Sequence, residues 1–279
     1  MSNPRMDLML ASVKQLPPLP AAVVEVLASF ERNEVDVNDL ARKISLDQGI
    51  ATRVLRVANS AFYGFPNKVG TIHDAVVLQG LHNIRALVVA AGLIRQYSPR
   101  VHGRFDHHVS WQHNIGTGVC ARVLAARLGR DAELAFTAGL LHDIGWLIME
   151  LVSPASFDTV MEYSMAHAVS LLEAERAVLG FDHAEIGFEI TRLWNFPVAI
   201  QVAIRDHHLP ESDSGFIADL VHVANVLCHA LDIGNAESDP VLPLNEIVLQ
   251  RLGLQREMVK DSLAEIELQY AAAKMLLRD

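Results

Sequence analysis

The chain has few cysteines, few aromatic residues and no glycine-rich phosphate loop, and each shortage removes a class of protein. Two cysteines among 279 residues, Cys120 and Cys228, lie far apart in apolar helical patterns, which excludes a disulfide framework and a Cys-x-x-Cys metal site. A reducing, cytoplasmic setting is therefore expected. No segment offers ~18 uninterrupted apolar residues, and the opening MSNPRMDLMLASVKQLPPLP has no basic-then-apolar leader. Neither a membrane span nor a secretory signal is expected. A Walker-type loop, a G-x-G-x-x-G turn and a Ser-His-Asp arrangement are all missing, leaving P-loop, dinucleotide redox and acyl-transfer chemistry without support. Period-two alternation is nowhere sustained for six residues, so strands have no signature here.

What is present is helical. Hydrophobic residues make up 51% of the chain and aromatics 6%, enough for one large domain or two modest ones with a real core. AAVVEVLASFERN repeats apolar residues at three and four spacings, just after Pro17, Pro18 and Pro20, where prolines suit a helix entry. VDVNDLARKISLD offers Asp36 or Asn38 as an N-cap, and SLLEAERAVLG carries Ser170 with Glu173 at capping-box spacing. Proline and glycine gather at 63–71, 96–106, 151–156 and 207–215, marking breaks. The second is the expected seam, dividing an N-terminal helical subdomain, 1–103, from a second helical subdomain, 104–279. The fold class is read as all-α.

The net charge of −10 argues against broad nucleic-acid binding. Charge is uneven, however: between Leu40 and Arg104 nine basic residues stand against two acidic ones, a local balance of +7. Arg53, Arg56 and Arg85 are candidates there for an anionic or protein partner, with arginines solvating packed helices as the plainer reading. In RVANSAFYGFP, Asn59 and Ser60 are read as a helix end, beside which Phe62, Tyr63 and Phe65 pack or form a partner surface.

Thirteen histidines is a high count, and position decides their meaning. His113 sits in a long apolar helix, His142 and Asp143 interrupt the apolar run GLLHDIGW, His183 opens DHAEIGFEITRLW, and His207 and His208 close VAIRDHHLP. Any one of these alone reads as a cap or a core imidazole. Together they form the ligand set of a divalent metal, one ion or two, of Fe, Mn or Zn. Adjacent helical residues point ~100° apart, so His142 and Asp143 share a site best if Asp143 bridges two ions, where it would also be the residue on which catalysis turns. His222, Asn225 and His229 fall on one helical face and are read as a polar stripe or as supplementary ligands.

These residues resemble the HD superfamily of metal-dependent phosphohydrolases, and more closely its HDOD branch. LPPLP, SLDQGIATRVLRVANSAFYG, IHDAVVLQGLHNIRALVV, GLLHDIGWLIM, DHAEIG and VHVAN stand in family order. The resemblance implies a multi-helix bundle used in bacterial signalling and regulation. The related HD-GYP branch implies metal-ligand roles for His113, His142, Asp143, His183, His207 and His208. Two departures stand out: no Gly-Tyr-Pro loop follows the His-His pair, and the branch's terminal aspartate is Asn225 here. The reading adopted is a regulatory module with a retained metal pocket that binds a phosphate-containing or protein ligand. The alternative is a metal-dependent phosphohydrolase acting on a nucleotide or another phosphate ester.

Overall fold

The computed structural model describes residues 3–30, 35–60, 68–97, 106–234 and 243–278. In order, α1 (Pro4–Val13), α2 (Ala21–Phe30), α3 (Val37–Ser45), α4 (Gln48–Ala58), α5 (Ile72–Gln79) and α6 (Leu81–Tyr97) form the first half. The second half runs α7 (His107–Arg127), α8 (Ala132–Leu141), α9 (Ile144–Val152), α10 (Pro154–His167), α11 (Leu171–Val178), α12 (His183–Leu193), α13 (Val198–Asp206) and α14 (Phe216–Ala230). It closes with α15 (Glu246–Leu252), α16 (Arg256–Ala273) and a final 3-10 turn, Lys274–Leu277. No strand occurs among the described residues, as the missing alternation required.

Helix starts fall where short polar side chains can satisfy free N–H groups. Asp36 accepts from Asn38 and Asp39 at α3, Asp106 from His108 and Val109 at α7, and Ser170 with Glu173 forms the capping box of α11. Asn59 ends α4, and its amide bonds both the carbonyl and the N–H of Val69 across the following turn. Phe62, Tyr63 and Phe65, the aromatics expected beside that end, lie outside the described residues.

One hydrophobic core runs through both halves. The boundary expected at 103–104 falls outside the described residues, and the helices on either side interleave. α1 packs against α9 and α12, while the final 3-10 turn packs against α4, α6 and α7. Asn3 donates to the carbonyls of Leu179 and Gly180 at 3.3 and 3.1 Å, tying the start of α1 to the end of α11.

α8 and α9 together span Ala132–Val152, the one described stretch long and apolar enough to cross a membrane by length and composition; 83% of its window is buried inside the fold. This stretch is not one helix. It breaks at His142 and Asp143, so the two residues do not project from a common helix as the ~100° argument assumed: His142 closes α8 and Asp143 opens α9. Glycines set how closely the pieces pack. A β-carbon at Gly139 would lie 2.8 Å from Gly118 Cα, where α8 meets α7, and one at Gly145 would lie 1.9 Å from the His183 carbonyl oxygen. Gly145→Ala should force α9 away from α12 and lower stability by about 1–3 kcal/mol. Urea unfolding of the purified variant against wild type checks this, since an unchanged midpoint would mean the two backbones do not touch.

Candidate metal centre

The six expected ligands come from four places in the fold and meet around one carboxylate. Asp143 is buried and makes no cap hydrogen bond to its own helix, which leaves both oxygens for the histidines. Its Oδ1 lies 3.4 Å from Nε2 of His183 and 3.4 Å from Nε2 of His207. Its Oδ2 lies 3.2 Å from Nε2 of His142 and 3.8 Å from Nε2 of His113. His208 stands one step out, with its Nε2 2.8 Å from Nε2 of His183. Two groups of possible ligands result, His113 with His142 and Asp143, and His183 with His207 and His208, each with its ligating atoms within 4.8 Å of one another.

The inner nitrogens point inward because the outer ones are occupied. His142 Nδ1 donates to the Gly139 carbonyl at 2.7 Å, and His207 Nδ1 donates to the Ile204 carbonyl at 2.7 Å. A carbonyl can only accept, so these bonds place the proton on Nδ1 and leave Nε2 as a lone pair. Both of those Nε2 atoms are buried with no hydrogen-bond partner. A buried acceptor without a donor is costly, and a divalent cation supplies the missing partner. The donor set, imidazole nitrogens around a carboxylate, suits such an ion. His183 Nδ1 donates at 2.7 Å to Glu175, a buried carboxylate outside the expected ligand set.

Asn225 meets His113: its Oδ1 lies 2.9 Å from His113 Nε2. The stripe on α14 faces the site. His222 donates from Nδ1 to the His207 carbonyl at 2.8 Å, and the His229 ring lies 4.6 Å from that of His113. A cavity of about 400 Å³ opens beside Asp143, lined by Trp146, Ser170, Leu172, Glu173, His207, His208, His222, Asn225, Val226 and His229. Its size suits a small ligand. No lysine or arginine is among these lining residues.

The described arginines between Leu40 and Tyr97 lie elsewhere, and several bond distant parts of the chain. Arg53 and Arg56 donate to the Leu276 and Arg278 carbonyls of the C-terminal turn. Arg85 is buried, donates to the Ser29 carbonyl at 2.7 Å and stacks over Phe30. Arg42 and Lys43 pair with Asp39, and Arg95 with Asp47. Among the described residues, these arginines meet helix ends and acidic partners within the chain.

Burial and charge set the protonation of the centre. Burial, helped by the neighbouring His142, pushes His113 down to about 3, and burial likewise pushes His207 down to about 4. Burial and the adjacent His207 and His183 hold His208 well below the usual range. His183 goes the other way: burial opposes its charge, but the carboxylates of Glu175 and Asp143 outweigh it and raise the group well above 6.5. Asp143 is desolvated too, yet the imidazoles of His142, His183 and His207 gathered around it hold it well below 3.8.

Comparison with known proteins gives the same fold. A family model described as the HDOD domain matches residues 16–210. A structure of a candidate phosphohydrolase from Shewanella amazonensis is 29% identical, covers 96% of this chain and 97% of its own, and superposes with a TM-score of 0.77. An HDOD domain protein of unknown function from Geobacter sulfurreducens is 22% identical with a TM-score of 0.80, covering 97% and 98% of the two chains, a likeness of fold. A Treponema pallidum protein is 27% identical over 227 residues, 79% of this chain and 43% of that protein. The chain spans less than half the length of the first curated relatives it matches.

The lowered histidines predict how metal-free protein responds to acid. A depressed histidine binds fewer protons folded than unfolded, so stability falls as pH drops below the unfolded value of 6.5 towards the folded values near 3 and 4. His183, raised, contributes fully below 6.5, and Asp143, lowered, contributes fully above 3.8, so neither changes inside that window. Chelated protein should lose on the order of several kcal/mol between pH 6.5 and pH 4. Urea midpoints measured in chelator across that range test this, and a flat profile would contradict the burial of these imidazoles as neutral groups.

Proposed function

Because the chain belongs to the HDOD domain family, we propose that it is a signalling or regulatory module whose histidine pocket holds divalent metal, one or two ions of Fe, Mn or Zn. In this reading the pocket binds a phosphate-containing ligand and does not turn it over. The observation that carries it is the pair of buried Nε2 lone pairs, on His142 and His207, turned towards Asp143 by protons committed on the opposite sides of their rings. His113, His142 and Asp143 would hold one ion, and His183, His207 and His208 the other, with one Asp143 oxygen facing each group. When bound, such ions supply positive charge for a phosphate and Lewis acidity for water.

The chain's own residues favour binding over turnover. Trp146, Leu172 and Val226 give the cavity an apolar wall on which the remainder of a ligand can rest. Asp143 and Glu173 bring negative charge, and no lining lysine or arginine offsets it. A phosphate therefore finds its counter-charge only at the metal, and phosphate binding should require metal. Asn225, beside His113 at 2.9 Å, presents an amide where a carboxylate would add negative charge. A cation at the His113, His142 and Asp143 group is held less tightly as a result. The division of the two Asp143 oxygens between two histidine groups supports a second reading, a phosphohydrolase in which both positions are filled.

Metal analysis of protein purified without chelators separates these readings. Wild type should carry about one ion per chain, Asn225→Asp closer to two, because a carboxylate adds charge at the weaker position. Inorganic phosphate should bind the loaded protein and not the chelated one in calorimetry. Absence of any bound ion from wild type would remove the metal reading. Two firmly held ions with hydrolysis of a generic phosphodiester would establish the second reading in place of the first.

A further inference from the structure

Glu175 stands behind the metal centre, and nothing in its position is accidental to it. α11 and its C-cap place apolar side chains at Leu171, Ala174, Val178 and Leu179, the spacing of a buried stripe, and Glu175 occupies the one remaining slot of that stripe. It is 1% exposed. A carboxylate with that little water must find donors within the fold, and Glu175 has three. His183 Nδ1 donates to Oε2 at 2.7 Å and the His183 backbone N–H donates to the same oxygen at 2.8 Å. The Trp146 indole N–H donates to Oε1. Both ends of this arrangement reach the site: His183 Nε2 lies 3.4 Å from Asp143, and Trp146 lines the cavity with its ring 4.6 Å from the His183 ring.

We propose that Glu175 is a positioning residue that sets the metal affinity of the His183, His207 and His208 group by fixing the orientation and proton of His183. This inference rests on the metal reading above and deepens it. His142 and His207 use backbone carbonyls for the same purpose, those of Gly139 and Ile204, and a carbonyl carries no net charge. Among the imidazoles of the centre, that of His183 has a full negative charge behind it, on Glu175. Glu175 holds the Nδ1 proton, so that Nε2 is the nitrogen turned to the site, and strengthens that nitrogen towards a cation. Its second donor, the N–H at the start of α12, prevents the His183 ring from moving with respect to its own helix. Its third fixes Trp146 against His183, so a cation at Nε2 lies within reach of the indole and alters its emission.

The test is Co²⁺ binding to the full chain, followed by the visible absorption of the ion and by tryptophan fluorescence, in wild type, Glu175→Gln, Glu175→Asp, His183→Ala and the double variant Glu175→Gln with His183→Ala. Glu175→Gln is expected to weaken Co²⁺ binding at one position about 10- to 100-fold. The position that uses His113, His142 and Asp143 should keep its affinity. Glu175→Asp keeps the charge with a shorter reach and should fall between wild type and Glu175→Gln, which also provides a measurement if Glu175→Gln does not fold. In the His183→Ala background, adding Glu175→Gln should change Co²⁺ affinity less than twofold, because the carboxylate then has no imidazole to act through. A purely structural carboxylate would lower the unfolding midpoint of each variant and leave Co²⁺ affinity where it was, and that result overturns the inference while leaving the metal reading intact. Equal losses with and without His183 overturn it also. Wild type that takes up no Co²⁺ at all overturns both.

Discussion

The buried carboxylate of Asp143 is the constraint around which the second half of the chain is arranged. A desolvated negative charge requires partners on every open side, and Asp143 has imidazoles from α7, the ends of α8 and α13, and the start of α12. Each comes from a different element, so satisfying this one group fixes four elements relative to one another. The break between α8 and α9 belongs to the same constraint. A continuous helix through residues 139–146 would turn His142 and Asp143 to different sides; ending one helix on His142 and starting the next on Asp143 brings both to the centre. Gly145 then lets α9 lie against the His183 backbone, which completes the enclosure.

Much of this was legible in the sequence where a residue's chemistry is decided locally. The caps Asp36 and Ser170 with Glu173 formed as read because a cap depends on residues two or three positions away. The six candidate ligands were legible as a set because imidazoles and a carboxylate on apolar helices have few other uses, and all six reach one region. The break at His142 and Asp143 was not legible, since no proline marks it and the apolar pattern passes through it unaltered.

Charge was the least legible property. Counting basic residues between Leu40 and Arg104 left a partner surface and arginines of packed helices both open, because a count does not register backbone carbonyls, and Arg53, Arg56 and Arg85 each meet one. Those carbonyls belong to segments distant in the chain, 223 residues away for Arg53, so no local window could have paired them. Glu175 is the converse case. A signal was available, a carboxylate on an otherwise apolar stripe of α11, but it is visible only when polar residues are tested for burial as strictly as apolar ones.

The ends of the helices around Asp143 have a consequence of their own. His142 and His207 are the C-caps of α8 and α13, so the carbonyl ends of two helices approach the centre. A helix carries a fractional negative charge at that end. Two N-terminal ends also arrive, those of α9 and α12, and their positive ends meet carboxylates: Asp143 opens α9, while Asp182 and Glu175 accept from the first N–H groups of α12. The two carbonyl ends and the two N–H ends offset each other in the backbone, so the tilt towards cations comes from the carboxylates of Asp143, Asp182 and Glu175 set against the N–H ends. A mutation that removed one histidine would take away a ligand and leave those three carboxylates in place, so the pocket would still attract positive charge.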